Sequence, residues 1–289
     1  MEYHNPVLLK ETVDGLNIRP DGVYVDVTFG GGGHSREIMS RLGENGKLFA
    51  FDQDLDALKN AIDDERFTLI NENFRFIKRF LRFHGIKQVD GILADLGVSS
   101  YQFDVAERGF STRFDAELDM RMNQKGDISA YHVVNEYDEQ DIARVLFDYG
   151  ELKNARAMAN VIVTARKDKE IRNSDELKKV LAKFLPGHKS NKILAQIYQA
   201  IRIEVNQEME VLKEFLEQSL EILKPGGRLS VISYHSLEDR LVKRFVKNGM
   251  FEGEPERDFF GNFSVPLKTI GKLIVPDADE IKINNRARS

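Results

Sequence analysis

Short apolar runs alternate with helical runs through the first hundred residues, and this alternation restricts the fold more than any other feature. The runs VYVDVTF (Val23–Phe29), KLFAFD, FTLIN and VDGILADLG are predicted strands, and a predicted helix follows each of the first three. Strands that alternate with helices run parallel, because each crossover returns the chain to the same end of the sheet. The sequence therefore predicts an α/β fold built from βαβ units.

A helical insert interrupts this pattern after the fourth strand. The following hundred residues show no strong strand, and among their predicted helices is SDELKKVLAKFL, for which Ser174 is the predicted N-cap. The α/β pattern then resumes with the helix MEVLKEFLEQSLEIL, which KPGG ends, and the strand RLSVISYHS. We predict a discontinuous α/β domain of residues 1–102 and 206–289, and an inserted helical domain of residues 103–205 that recognises the substrate.

The composition excludes several functional classes. The 289 residues include no cysteine, which rules out thiol nucleophiles, disulfides, Fe–S clusters and thiolate zinc sites. The net charge of -5 argues against a general nucleic-acid coat but leaves room for a local basic face. The six histidines show no metal-ligand spacing, so we expect no metal. No signal-like or membrane-spanning apolar run is present, which predicts a soluble cytoplasmic protein.

Four consecutive glycines, Gly30 to Gly33, separate the first predicted strand from a helix that begins near His34. A strand, a glycine-rich turn and a helix often bind a nucleotide, because the first N–H groups of the helix point at the ligand. The dinucleotide pattern G-x-G-x-x-G fails at Ser35, and no P-loop lysine is present. The turn is therefore either a nucleotide-binding element or only a tight connection.

Two acidic residues follow predicted strands. Asp52 ends the second strand about twenty residues after the glycines, where an acid often accepts hydrogen bonds from ribose hydroxyls. Asp95 ends the fourth strand, and ligands of open α/β sheets bind at the carboxyl ends of the strands. The alternatives are that Asp52 caps the next helix and that Asp95 only forms a turn.

The segment LKPGGRLSVISYHS resembles the element before strand five of Rossmann-like methyltransferases that use S-adenosylmethionine. Dinucleotide dehydrogenases do not usually carry it. The resemblance favours S-adenosylmethionine over a nicotinamide cofactor, and it accounts for the missing phosphate-binding lysine.

Motifs along nearly the whole chain narrow this resemblance to one family. The segments are HNPVLLKETV, TFGGGGHS, FDQD, GILADLGVSSYQFD, ERGFS, LDMRM, AIRIEVNQE, KPGGRLSVIS and HSLEDR. They resemble the bacterial 16S rRNA (cytosine-N4)-methyltransferase family, also called MraW or RsmH. The resemblance implies a Rossmann-like class I methyltransferase domain with an inserted helical domain. It also implies methyl transfer from S-adenosylmethionine to N4 of a cytidine in the decoding region of 16S rRNA.

The family's cofactor contacts fall on residues of this chain. The resemblance implies that Phe74 flanks the adenine, and the alternative is that Phe74 is an ordinary core aromatic. It implies that Gln102 forms a hydrogen bond with a polar edge of the cofactor. Tyr101 stands where the family commonly has proline. Family members usually continue into a final strand, so we expect either a trimmed chain after Ser289 or a sheet that closes differently. The implied contacts are Gly32, Gly33, His34, Asp52, Phe74, Asp95 and Gln102.

The missing cysteine also bears on mechanism, because methylation at cytosine C5 usually needs a covalent thiolate. The mechanism that remains is direct in-line displacement, in which a nitrogen or oxygen of the substrate takes the methyl group from the sulfonium. The conjugated amine of cytosine needs an acceptor for one N–H to free its lone pair. Asp95 is the first candidate for this acceptor. His235, at the end of the predicted fifth strand, is the second, although a lone histidine is more often structural than catalytic.

We expect the partner to be 16S rRNA within the small ribosomal subunit. The candidate contacts are the basic runs FRFIKRFLRFHGIK, RKDKEIR, KSNK and NNRARS, and the alternative for each run is a solvated helix face. Three rival functions stay open at this stage. One is a DNA amino-methyltransferase, although ADLGVSS lacks the usual prolines. The others are a non-catalytic RNA-binding or assembly factor and a nicotinamide oxidoreductase. The sequence does not fix the oligomeric state.

Overall fold

The computed structural model describes residues 6–260 and 263–288 and contains a five-stranded parallel sheet in the order β3-β2-β1-β4-β5. This confirms the predicted α/β class. The strands are β1 (Val23–Asp26), β2 (Lys47–Phe51), β3 (Phe67–Ile70), β4 (Val89–Asp95) and β5 (Leu223–Ile232).

Twelve α-helices lie within the described residues. In chain order they are α1 (Leu9–Gly15), α2 (Gly33–Arg41), α3 (Ile77–Phe83), α4 (Ser100–Asp104), α5 (Ala130–Asn135), α6 (Glu139–Asp148), α7 (Ala155–Asp168), α8 (Ser174–Val180), α9 (Ser190–Asn206), α10 (Glu208–Ile222), α11 (Ser236–Asn248) and α12 (Ala278–Ile283).

Helices cover both faces of the sheet, which explains why its central strands are mostly apolar on both faces, with Asp26 and Asp90 as exceptions. Tyr24 and Leu93 belong to one core cluster, with residues of α1 and α2. Their neighbours Val25 and Ile92 belong to another, with residues of α3, α10 and α11. Successive side chains of a strand point to opposite faces, so a strand covered on both sides needs apolar residues at every position.

The chain divides into two compact units. Residues up to Gly97 and from Met209 onward form the first, which contains the sheet, and Val98–Glu208 form the second. The described residues of the second unit are mostly helical, with one isolated bridge between Glu117 and Asn173. Its core packs α5, α6, α7 and α9 together. That this unit recognises the substrate stays a prediction.

Two local predictions, the end of β1 and the helix after β2, differ from the structure. β1 ends at Asp26 rather than Phe29, because a turn begins there in which the Thr28 N–H donates to the Asp26 carboxylate. The segment LDALKNAI forms only a short 3₁₀-helix, Leu55–Asn60, and two of its leucines are exposed. An apolar stripe without a surface to cover gives a helix little tertiary stabilisation.

The cap of α8 and the start of β5 also differ. The side chain of Asn173 accepts the Glu176 N–H, so Asn173 and not Ser174 is the N-cap of α8. Ser174 is buried inside the first turn. The KPGG segment does follow the end of α10, but it lies within β5, where the pairing with β4 shifts register.

No helix among residues 6–260 and 263–288 has the length and apolar character needed to cross a membrane. In this part of the chain β3 and β5 are the edges of the sheet. The expected final strand concerns sequence after Ser289, which lies outside the described residues, and it stays a prediction.

Candidate cofactor and active site

The glycine turn leads directly into α2 in a conformation that requires glycine. Gly32 is the N-cap of α2 with φ of 75°, and a Cβ there would lie 2.9 Å from the Phe29 ring. Gly33 is the first residue of the helix, and a Cβ on it would lie 2.2 Å from Cγ of Pro6. The turn is therefore fixed by the β1 end and the N-terminal segment. Its helix presents N–H groups at the carboxyl edge of the sheet.

Asp52 lies immediately after β2 and braces the glycine turn. Its Oδ2 accepts the Gly30 N–H at 2.7 Å, and its Oδ1 accepts the Asp54 N–H at 2.8 Å. Each carboxylate oxygen has two lone pairs, so one acceptor site on each oxygen remains for another donor. Burial, the largest effect, raises the pKa of Asp52 to about 6 despite these two hydrogen bonds. The cap of the following 3₁₀-helix is Asp54, not Asp52.

Asp95 is the last residue of β4, and several groups of the first unit hold it. Its N–H donates to Oγ1 of Thr28 at 2.7 Å. Its Oδ1 accepts the Tyr234 hydroxyl at 2.7 Å, and its Oδ2 lies 3.7 Å from Nδ1 of His34. The last distance is too long for a hydrogen bond, so the imidazole acts on the carboxylate through space. The Asp95 side chain is 22% exposed.

The surroundings of Asp95 favour the neutral form of its carboxyl group. Burial raises the pKa of Asp95 to about 6, and the carboxylates of Asp26 and Glu238 add to the rise, while His34 and Tyr234 oppose it. Burial also lowers the pKa of His34, while the nearby Asp95 carboxylate opposes this change. A buried carboxylate with few positively charged neighbours is a strong hydrogen-bond acceptor once it is ionised, and it would attract a cationic ligand.

A chain of hydrogen bonds that the sequence did not reveal ties Asp95 to α2. The fully buried Asp26 accepts the Ser35 hydroxyl through Oδ2 at 2.7 Å. Its Oδ1 accepts the Thr28 N–H at 3.1 Å, and the Thr28 hydroxyl lies 3.5 Å away. Burial raises the pKa of Asp26. Asp26, Thr28 and Ser35 thus connect the start of α2 with the end of β4.

The remaining predicted site residues have other local contacts. Phe74 opens the 3₁₀-helix after β3 and packs edge-to-face on Phe215, with ring centroids 5.3 Å apart. This contact agrees with the core-aromatic alternative and leaves the adenine contact a prediction. Gln102 is buried in the second unit, where it completes a capping box with Ser99 at the start of α4.

His235 does not end β5, which stops at Ile232. It is the N-cap of α11, and its Nδ1 accepts the Glu238 N–H at 3.4 Å. The Glu238 carboxylate in turn accepts the Tyr234 N–H at 2.8 Å. The structural role expected as the alternative is therefore present, and a catalytic role for His235 stays a prediction.

The first unit offers a donor and acceptor set that suits S-adenosylmethionine. The two remaining acceptor sites of Asp52 match the two hydroxyls of a ribose. The carboxylates of Asp95 and Asp26 favour a positive charge at the same edge. The Asp52 carboxylate accepts the Gly30 N–H at 2.7 Å, and the Asp95 carboxylate lies 3.7 Å from Nδ1 of His34. That these residues bind the cofactor stays a prediction.

A sequence model of the MraW methylase family matches residues 1–289. The chain belongs to this family. Ribosomal RNA small subunit methyltransferase H of Flavobacterium johnsoniae is 82% identical over the whole chain and 96% of that protein. The proteins of the same name from Christiangramia forsetii and Bacteroides thetaiotaomicron are 68% and 56% identical, again over the whole chain and 96% and 95% of their lengths. The family predicted from the motifs is confirmed, and with it the methyltransferase class of the fold.

Proposed function

We propose that this protein transfers a methyl group from S-adenosylmethionine to the exocyclic N4 of a cytidine in the decoding region of 16S rRNA. The observation that carries the proposal is the Asp95 carboxylate, held beside the glycine turn by the residues around it. The acceptor RNA is proposed to be met within the small ribosomal subunit, in the cytoplasm.

The family and its named relatives support methylation of small-subunit ribosomal RNA. The motifs ERGFS, LDMRM and HSLEDR, which resemble the cytosine-N4 family, support the choice of atom. The absence of cysteine supports N4 over C5, since the usual C5 reaction needs a thiolate adduct.

The proposed cofactor contacts are residues at the carboxyl edge of the sheet, together with Phe74 after β3 and Gln102 in α4. When bound, S-adenosylmethionine supplies an electrophilic methyl group on a positively charged sulfur. Asp52 holds the ribose through its remaining lone pairs, and the start of α2 faces the methionine part. No metal is required for this chemistry. The proposed contacts are Gly32, Gly33, His34, Asp52, Phe74, Asp95 and Gln102.

Asp95 is the proposed acceptor for one N–H of the cytosine amine. Accepting this hydrogen bond turns the nitrogen toward tetrahedral geometry and frees its lone pair. Bound S-adenosylmethionine would supply the methyl carbon to N4, with the electron pair of the carbon–sulfur bond left on sulfur, and Asp95 would take the proton that N4 releases. Much of the rate enhancement comes from holding the two reactants in line. His235 is the second candidate, but its Nδ1 already accepts a backbone N–H.

Product identification tests the proposal most economically. Small ribosomal subunits from cells that lack this activity are incubated with the protein and methyl-labelled S-adenosylmethionine, and the digested RNA is examined by mass spectrometry. Label in N4-methylcytidine is expected. Label in 5-methylcytidine or in another nucleoside would refute the choice of atom, and measurable cofactor binding without transfer would favour the non-catalytic factor.

A further inference from the structure

Tyr234 is a residue to which the motifs assigned no role, yet it makes the shortest contact with the Asp95 carboxylate. Its hydroxyl donates to Oδ1 at 2.7 Å across 139 residues of sequence. The contact follows from the sheet, because Asp95 pairs with Ile232 in the parallel β4–β5 ladder and Tyr234 lies two residues further on.

The tyrosine ring is fixed at both ends. Gly97, with φ of 92°, lies under the ring, and a Cβ there would be 3.3 Å from Cδ2 of Tyr234. The N–H of Tyr234 donates to the carboxylate of Glu238, which is buried in the first turn of α11. A phenol that is immobilised in this way can orient its partner without losing much entropy on each turnover.

We propose that Tyr234 is a positioning residue that fixes the rotation of the Asp95 carboxylate and keeps it ionised for the reaction. This inference rests on the proposed acceptor role of Asp95. With Oδ1 engaged by the phenol, Oδ2 is the oxygen that faces His34 and is left for the substrate amine.

The charged and titratable groups around Asp95 come from four elements. They are Asp26 on β1, His34 on α2, Glu238 on α11 and Tyr234 in the loop after β5. Two of them are carboxylates that oppose ionisation of Asp95, and burial opposes it more strongly. The phenol cannot compensate by losing its own proton, because burial and the neighbouring carboxylate raise the pKa of Tyr234 above its usual range. It therefore acts as a permanent donor.

The test compares Tyr234→Phe, which keeps the ring over Gly97, with Tyr24→Phe. Tyr24 lies at the start of β1, and its hydroxyl accepts the Arg19 N–H away from the carboxyl edge of the sheet. The Asp95 carboxyl is titrated by NMR on protein labelled with ¹³C at aspartate carboxyls, and the resonance is assigned by its loss in Asp95→Asn. The pH dependence of kcat/KM for methyl transfer is measured on the same variants.

Loss of the phenol donor should move the Asp95 titration upward by about one pH unit, since a hydrogen bond to a carboxylate favours its charged form. The acid limb of kcat/KM should move by the same amount, which gives about a fivefold loss at pH 6 that disappears near pH 9. Tyr24→Phe should change neither curve.

An unmoved Asp95 resonance in Tyr234→Phe would overturn the inference. Because that titration needs no methyl transfer, it is independent of which nucleoside is methylated. A moved resonance with an unmoved rate profile would remove Asp95 as acceptor and the positioning role with it.

Discussion

Replacing Asp95 with asparagine should stabilise the folded protein while it impairs the reaction. The pKa of Asp95 is raised from 3.8 to about 6, chiefly by burial, so the folded state binds its proton more tightly than the unfolded state does. As pH rises from the unfolded-state pKa to the folded-state pKa, the folded protein loses stability, because Asp95 must ionise while buried. This destabilisation is complete above about pH 7. At about 1.36 kcal/mol per unit the rise corresponds to about 3 kcal/mol at pH 8 and about half of that at pH 5.

The amide in Asp95→Asn can still accept the Tyr234 hydroxyl, so most of this penalty should be relieved. Calorimetric melting of wild type and variant at pH 5 and pH 8 measures the difference, at about 2–4 °C per kcal/mol for a chain of this size. The expected result is a higher melting temperature for the variant, with the larger gain at pH 8. Asp64→Asn is the control of opposite sign, because Arg66 lowers the pKa of Asp64 to about 2 and the ionised form is the favourable one. A variant that melts below wild type at pH 8, or a gain equal at both pH values, would refute the reasoning.

Three further substitutions probe the site. Gly97→Ala should lower the free energy of unfolding by about 1–2 kcal/mol because the backbone there is left-handed, and by a further amount because the new methyl group meets the Tyr234 ring. Gly85→Ala is the control, since Gly85 is also left-handed but has open space around it, and thermal melting compares the two variants. Asp52→Ala should weaken S-adenosylmethionine binding by about tenfold or more in calorimetric titration, since a charge-assisted hydrogen bond is lost, and an unchanged affinity would remove it from the ribose site. Thr28→Val should leave the buried Asp95 N–H unsatisfied at a cost of about 1–3 kcal/mol in unfolding free energy, whereas Thr28→Ser should stay close to wild type.

The sheet and the acids at its carboxyl edge could be predicted from the sequence because both depend on local patterns. Apolar runs separated by helices identify parallel strands, and the residue that ends such a strand must lie at the edge where ligands bind. Asp52 and Asp95 follow from this rule alone. Gly32 was implied by the resemblance to the family, and its φ of 75° is seen only in the structure.

The contacts around Asp95 could not be predicted, because they depend on register between distant strands. Asp95 and Tyr234 are 139 positions apart in sequence with the whole helical unit between them, and the β4–β5 ladder brings the two side chains together. The contact of Thr28 with Asp95 could not be predicted either, because the sequence places Thr28 inside a strand that in the structure ends at Asp26. The predicted fifth strand is too long for the same reason: β5 stops at Ile232, three residues before His235.

The most direct test of the central claim is a single-turnover assay on unmodified small ribosomal subunits that compares wild type with Asp95→Asn and scores N4-methylcytidine by mass spectrometry. Cofactor affinity is measured in parallel to separate binding from chemistry. The account predicts N4-methylcytidine as the wild-type product and a loss of about 10²-fold or more in the variant, the usual contribution of a positioned acid or base. Another methylated nucleoside from wild type, or a variant that binds the cofactor and transfers methyl at the wild-type rate, would contradict it.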